Sequence, residues 1–447
     1  MKRRMENMFR IVLVVIFILV SLGCSLNRTS LPNIILISID TLRADHLGCY
    51  GYYRNTSPCL DSLAASGTIF MRCQAQAPHT TPAHASIWTG LSVISHGAGY
   101  HKGSDYGLDP DLPTIATVLK EKGYNTIGIV NVSILNNDFG FSSGFDYYSW
   151  HENGEGRAGI AFNEYLKWLD ENVGNPDPVF ALIHLYDVHG PYNPPPPYDR
   201  TFTTGGSEGI TDWQTDPVSG ALLNPEEKDH LIDLYDGEIS WVDSQLSRLF
   251  SELRQRGLAE NTLIIVVADH GEEFLEHRGW GHSHAVWQEM LHVPMIISGP
   301  GIPVGAVDVL PSGQFDILPT IADYLEITLE NPLDGVSLLD STARTEYRII
   351  PSSRVSPDKC FRWGLEQYEG LIAVLSGNTK AMINYGIEEP GVMFSLGNDP
   401  EEMDSLTLDP HMAEALDQYW TTPPVGCPSV LDAESVNAVL KDLGYVR

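Results

Sequence analysis

Short apolar runs recur along the chain, and between them lie stretches whose apolar residues return every three or four positions. PNIILISID (32–40) is apolar and β-branched up to its closing acid, the pattern of a strand buried in a parallel sheet. NTIGIVNV (125–132), PVFALIHLYDVHGPY (178–192), NTLIIVVADHGEE (261–273) and HVPMIISGPG (292–301) repeat it. LPTIATVLKEKGY (112–124) and AFNEYLKWLDENVG (161–174) read as helices, as does the long 225–257 stretch, where Gly237 is a candidate break. Strands alternating with helices predict an α/β fold: a central, mostly parallel sheet with helices on both faces. Ligands on such sheets sit beyond the carboxyl ends of the strands, where Asp40, Asp187, His189, Asp269 and His270 all fall. The Pro- and Gly-rich stretch 191–209 reads as a loop or lid. Past about residue 340 the runs shorten to LIAVLSG, AMINYG and GVMFSLG, which predict a small C-terminal antiparallel-sheet subdomain.

Composition narrows the partners. The chain has 447 residues, 43% of them hydrophobic, enough for a large core. With 58 acidic against 27 basic residues its formal charge is −31. That surface repels nucleic acid and anionic membranes at long range, and its plainest role is solubility. An anionic substrate must therefore be captured locally, by a metal, histidines or backbone amides. Lys2, Arg3, Arg4 and Arg10 precede the apolar run IVLVVIFILV and then SLGC, the parts of a secretory signal peptide over 1–24. Gly23-Cys24 resembles a bacterial lipoprotein cleavage site, so export to the cell envelope or periplasm with a lipid anchor at Cys24 is expected. Plain secretion and a retained anchor are the alternatives. If Cys24 carries lipid, five cysteines are left, an odd count that leaves a free thiol; Cys59 with Cys73 and Cys360 with Cys427 are candidate pairs.

Asp40 closes one strand, and Asp269-His270 another far away in sequence. Two carboxylates and an imidazole at one sheet edge form a candidate divalent-cation site, although a strand-end Asp also commonly caps a turn. APHTTPAHASIWTG (77–90) adds a hydroxyl. Pro82 suits the first helical position, which makes Thr81 the expected N-cap and lets Thr80 project beside the helix N-terminus. Free N–H groups there suit a tetrahedral oxyanion. A threonine hydroxyl is a poor nucleophile until a neighbouring cation lowers its pKa. The plainer alternative is two capping threonines and no chemistry.

At these residues the chain resembles the sulfatase family of the alkaline phosphatase superfamily, from about Pro32 to Leu406. PNIILISIDTLRADHLGCYGY resembles the family's first strand and metal loop, and TTPAHASIWTG its C-x-P-x-R signature. VADHG, WQEMLHVPMIISGPG and MFSLGNDPEEMDSL follow in the family's order. The resemblance implies an alkaline-phosphatase-like sheet, a catalytic domain over 32–340 and a C-terminal subdomain and tail over 341–447. It also carries departures. Thr80 replaces the cysteine that becomes formylglycine, His84 the arginine, Thr41 a paired acid, and Asn131 and Ser133 the K-x-H that grips sulfate. Asp40, Thr80, Asp269 and His270 remain, a set similar to the single-metal site of threonine-nucleophile branches that act on phosphoesters.

The implied site has Asp40, Thr80, Asp269 and His270 on one divalent ion (Ca, Mn or Zn), with no formylglycine. Thr80, His189 and His282 are the implied catalytic residues, and His84, Arg43 and His284 the substrate-binding ones; pairing of Arg43 with Asp45 is its alternative. A second cation at Asp187, His189 and His282 is also open. The expected function is metal-dependent hydrolysis of phosphate or sulfate esters, phosphoesters favoured, on a small-molecule, glycan or lipid substrate. A formylglycine-independent sulfuric ester hydrolase, an envelope phospho-headgroup transferase and a silent glycan-binding protein are the alternatives.

Overall fold

A computed structural model describes residues 31–99, 107–151, 157–203, 225–353, 371–384 and 390–421. The chain divides into two compact units, Met1–Pro32 and Asn33–Arg447; nearly all described residues belong to the second. The signal-peptide and Cys24 expectations lie outside the described residues, as do Cys360 and Cys427.

Eight strands form the central sheet: β1 (Asn33–Ile39), β2 (Thr68–Phe70), β3 (Asn125–Val130), β4 (Tyr147–Trp150), β5 (Val179–Leu185), β6 (Thr262–Ala268), β7 (Met295–Ser298) and β8 (Ala306–Asp308). Their order is β8-β2-β7-β6-β1-β5-β3-β4. All run parallel except β7, which is antiparallel to both neighbours. After its first residue β1 is buried at every position, as an apolar run covered on both faces requires.

Helices pack on the sheet in two groups. Pro58–Ala65 and Arg157–Glu171 each touch Pro225–Gln255, and Thr80–Thr89 touches Ile115–Glu121 and Ile317–Tyr324. The long helix does not break at Gly237. A Cβ there would lie 2.6 Å from the Tyr198 carbonyl oxygen and 2.9 Å from Pro194 Cγ, so glycine serves the close approach of the Pro-rich loop. A groove of about 690 Å³ between Pro58–Ala65 and this helix, lined by Cys59, Ser62, Ser244 and Phe250, includes none of the expected site residues.

Five short antiparallel strands between Ile350 and Thr407 make a separate sheet, as the shortened runs predict. Helix Pro410–Thr421 covers it through Met412 and Leu416 against Ile372 and Val374. Cys59 and Cys73 are free thiols, so that candidate pair is not formed. Among the described residues no helix is long and apolar enough to cross a membrane.

Candidate active site

Strand register builds the centre. Ile39 of β1 pairs with Ala268 of β6, so the next residue of each strand, Asp40 and Asp269, leaves the sheet side by side. Asp40 N still donates to Leu185 O at 2.9 Å. Thr41 then turns with φ of 52°, unusual for a β-branched residue. Two contacts hold it there: its N–H donates to Asp269 Oδ1 at 3.2 Å, and its carbonyl accepts from Tyr235 Oη at 2.8 Å.

Asp40, Asp269 and His270 bring one ligand atom each within 4.8 Å of one another, and none is exposed. Burial first, and then the Asp40 charge, pushes Asp269 well above the usual carboxylate range. Asp269 Oδ2 has no hydrogen-bond partner among the described residues. His270 Nδ1 lies 3.0 Å from the Gly271 carbonyl, which takes its proton and leaves the Nε2 lone pair for the centre. Two apposed buried carboxylates with an oriented imidazole fit a divalent cation.

Thr80 is the first residue of a wholly buried helix, and its Oγ1 stands 3.4 Å from His270 Nε2. The cap expectation is corrected here. His79 occupies the N-cap position, Thr81 is inside the helix, and Thr81 Oγ1 has no hydrogen-bond partner among the described residues. Helix geometry then aims His84, one turn on, back at the same end: its Nδ1 donates to Thr80 O at 2.8 Å and its Nε2 accepts from Ser38 Oγ at 2.9 Å. His84 therefore lies beneath the centre, 3.6 Å from Asp269 Oδ2. Burial and the neighbouring His184 push its pKa far down, so it is neutral.

The other predicted residues divide. His282 and His189 join the centre: the His282 ring lies 4.4 Å from His270 and 4.9 Å from His189. Tyr186 stacks on His189 at 4.3 Å. Arg43 and His284 are engaged elsewhere. The Arg43 guanidinium bonds Asp45, Glu276 and the Glu272 carbonyl, so the Asp45 alternative is the contact present. Burial opposes that charge, but Asp45 and Glu276 hold its pKa above the ordinary value. His284 Nε2 is 2.6 Å from Glu273 Oε2. The Asp187 carboxylate accepts from Ala158 N and Trp241 Nε1, the work of a helix cap.

Sequence reasoning missed His184, Gln314 and Glu272. His184 Nε2 lies 3.4 Å from Asp40 Oδ2, and a histidine inside an otherwise apolar strand was its available signal. Gln314 Nε2 donates to the carbonyls of Ala268 and Asp269 at 2.6 and 2.5 Å, tying down the strand end; nothing local marks it.

A strand-end carboxylate and histidine cluster, with a hydroxyl presented by a buried helix N-terminus, is the arrangement of a metal-dependent ester hydrolase on an α/β sheet. The chain belongs to the sulfatase family, whose model matches residues 32–327. It is 26% identical over 385 residues to an arylsulfatase of Clostridium perfringens, covering 69% of this chain and 78% of that one. It is 22% identical over 446 residues to a Delta 4,5-hexuronate-2-O-sulfatase of Bacteroides thetaiotaomicron, covering 89% of each. The phosphonate monoester hydrolase of Agrobacterium radiobacter has the same fold, with a TM-score of 0.68, 21% identity, and coverage of 92% of this chain and 96% of that one. The protein is thus a hydrolase of the sulfate or phosphate ester class, in a family that depends on metal.

Proposed function

We propose that the protein hydrolyses anionic phosphorus or sulfur esters with Thr80 as nucleophile, phosphoesters being favoured. The placement of Thr80 Oγ1 beside His270, Asp40 and Asp269 carries this reading. A divalent cation held by Asp40, Asp269 and His270 would supply the Lewis acidity that lowers the hydroxyl's pKa and offsets the two carboxylates. Having lost its proton to solvent, Thr80 Oγ1 attacks as the alkoxide. It forms the new bond to phosphorus or sulfur in line as the bond to the leaving oxygen breaks, and it leaves as the alkoxide when water later cleaves the ester. His282 or His189 hands that oxygen its proton. Water then cleaves the Thr80 ester, with the same histidine taking its proton. The helix N–H groups face the oxyanion.

Phosphoesters are favoured because position 80 is not the cysteine from which formylglycine is made, and Asn131 and Ser133 stand where the family's sulfate-gripping residues do. A formylglycine-independent sulfatase is the second reading, supported by relatives that are sulfatases by name. The test compares aryl sulfate, aryl phosphate, bis-aryl phosphate and aryl phosphonate on metal-replete protein, with Thr80→Ala as control. Phosphoester turnover lost in the variant supports the reading. Dominant sulfate turnover through Thr80 would reverse the preference, and turnover indifferent to Thr80→Ala would remove the nucleophile.

A further inference from the structure

After His270 the chain makes a small hairpin, Glu273–Phe274 with Trp280–Gly281. Its antiparallel register pairs Glu273 with Gly281 and Phe274 with Trp280. Carried one step outward, that register sets Glu272 against His282. The side chains meet: Glu272 Oε1 is 2.8 Å from His282 Nδ1, and both residues are buried, 3% and 7% exposed.

The hairpin is over-determined. Glu273 Oε1 accepts the N–H groups of Gly279 at 2.6 Å and His277 at 2.9 Å, while Oε2 meets His284. Leu275 and Arg278 turn with φ of 68° and 73°. A Cβ on Gly279 would come within 2.2 Å of His284 Nε2, so any larger residue there must displace the His284–Glu273 contact. Arg43 Nη1 bonds both the Glu272 carbonyl and Glu276, pinning the hairpin to the β1 loop. Contacts outside the metal cluster thus fix the hairpin on which Glu272 and His282 face each other.

We propose that Glu272 is a positioning residue that acts through His282. By accepting the Nδ1 proton it fixes the ring's tautomer and orientation, so any proton the ring exchanges with the ester moves through Nε2. This rests on the ester-hydrolase reading above and adds the group that makes His282 competent in it. A carboxylate that locks an imidazole in this way is a general device for general acid–base histidines.

A double-mutant cycle tests it, with bis-4-nitrophenyl phosphate and 4-nitrophenyl sulfate as probes and bound metal measured for each variant. Glu272→Ala is expected to lower kcat by about tenfold to a hundredfold with KM and metal content unchanged. In a His282→Ala background the same change should cost nothing further. Glu272→Gln, whose amide oxygen still accepts the proton, should retain more activity than Glu272→Ala. Equal losses in both backgrounds, or loss of metal, would make Glu272 merely structural and overturn the proposal. Imidazole nitrogen NMR at about pH 8, where an ordinary histidine is neutral, decides the same point without turnover. The His282 signal should report an Nδ1-protonated ring in wild type and lose that preference in Glu272→Ala; an unchanged tautomer overturns the proposal. Turnover that survives Thr80→Ala would remove Thr80 as the nucleophile without touching the Glu272 proposal. No turnover of either probe by wild type would sink the hydrolase reading and leave the tautomer measurement to decide Glu272.

Discussion

The His184 imidazole stands 3.4 Å from the Asp40 carboxylate, and neither side chain is exposed. Register places them: Ser38 pairs with His184, and Asp40, two residues past Ser38, projects to the same face. Asn131 N donates to His184 Nδ1 at 3.3 Å, so Nε2 carries the proton toward Asp40. Burial holds the ring neutral, with its pKa lowered to about 3. His184→Ala should therefore weaken divalent-cation binding by about tenfold to a hundredfold, read by competition with a chromogenic chelator. Unchanged affinity would reduce His184 to packing.

Asp40 and Asp269 oppose each other when no cation is bound. Burial and the Asp40 charge raise Asp269 above its unfolded value, so the metal-free protein loses stability from this pair as pH rises through and above the ordinary carboxylate range. Asp269→Asn should melt higher than wild type in chelator and gain nothing from added Mn²⁺. Wild type should gain about 2.7 kcal/mol once the ion reaches a hundredfold excess over its Kd. A variant that melts lower in chelator would show that the two charges do not clash.

His96 offers a pH probe that is not itself a ligand. Its Nδ1 accepts from Ala98 N, its Nε2 donates to Ser86 Oγ, and burial lowers its pKa from 6.5 to about 3. The unfolded chain takes up this proton first, so the contribution is full above the ordinary value and is lost as pH falls toward the folded one. The slope is about 1.4 kcal/mol per pH unit. Urea unfolding of chelated His96→Gln between these limits should be flatter with pH than wild type by about that amount. Parallel curves would mean His96 is charged in the fold.

At Gly237 two effects compete. Alanine gains about 1 kcal/mol in helix propensity. Its Cβ would meet a backbone oxygen at 2.6 Å, which no side-chain rotation relieves. The clash should win, and Gly237→Ala should be destabilised by about 1–3 kcal/mol in urea. A stabilised variant would show that the Pro-rich loop yields freely.

Lys380 and Glu402 form a buried pair at 2.7 Å, with the Lys380 side chain 1% and the Glu402 side chain 0% exposed. Glu402 Oε2 also accepts from Gln288 N at 2.7 Å, which joins the C-terminal sheet to the segment after the hairpin. Lys380→Met should cost about 3–5 kcal/mol by stranding a buried charge. Adding Glu402→Gln should recover much of it, since the amide oxygen still serves Gln288. A second loss on top of the first would contradict this.

Much of the framework was legible locally. An apolar run that ends in an acid marks where the chain leaves a sheet, so Asp40, Asp269 and His270 could be placed at strand ends from periodicity. Thr80-Thr81-Pro82 marked the helix start to within two residues, Pro82 being expected first where Thr80 is. The cap was not legible: His79, not Thr81, holds the N-cap position, with no side-chain hydrogen bond, and Thr81 lies inside a helix buried along its whole length.

Which atoms meet at those ends was decided by tertiary structure. β1 and β6 lie far apart in sequence, and packing on both faces sets their register, which makes neighbours of Asp40 and Asp269. The sequence near Arg43 offered two roles, and Glu276 and the Glu272 carbonyl, brought in by a distant hairpin, took its donors. His284 is spent on Glu273 and His282 is aimed by Glu272 for the same reason: a two-residue spacing places two histidines on a loop but does not choose their partners. By itself the sequence determined five of the central sheet's strands, the helices to within a few residues of their ends, and the chemical types available. Partner choice depends on distances between chain segments that only the packed sheet brings together.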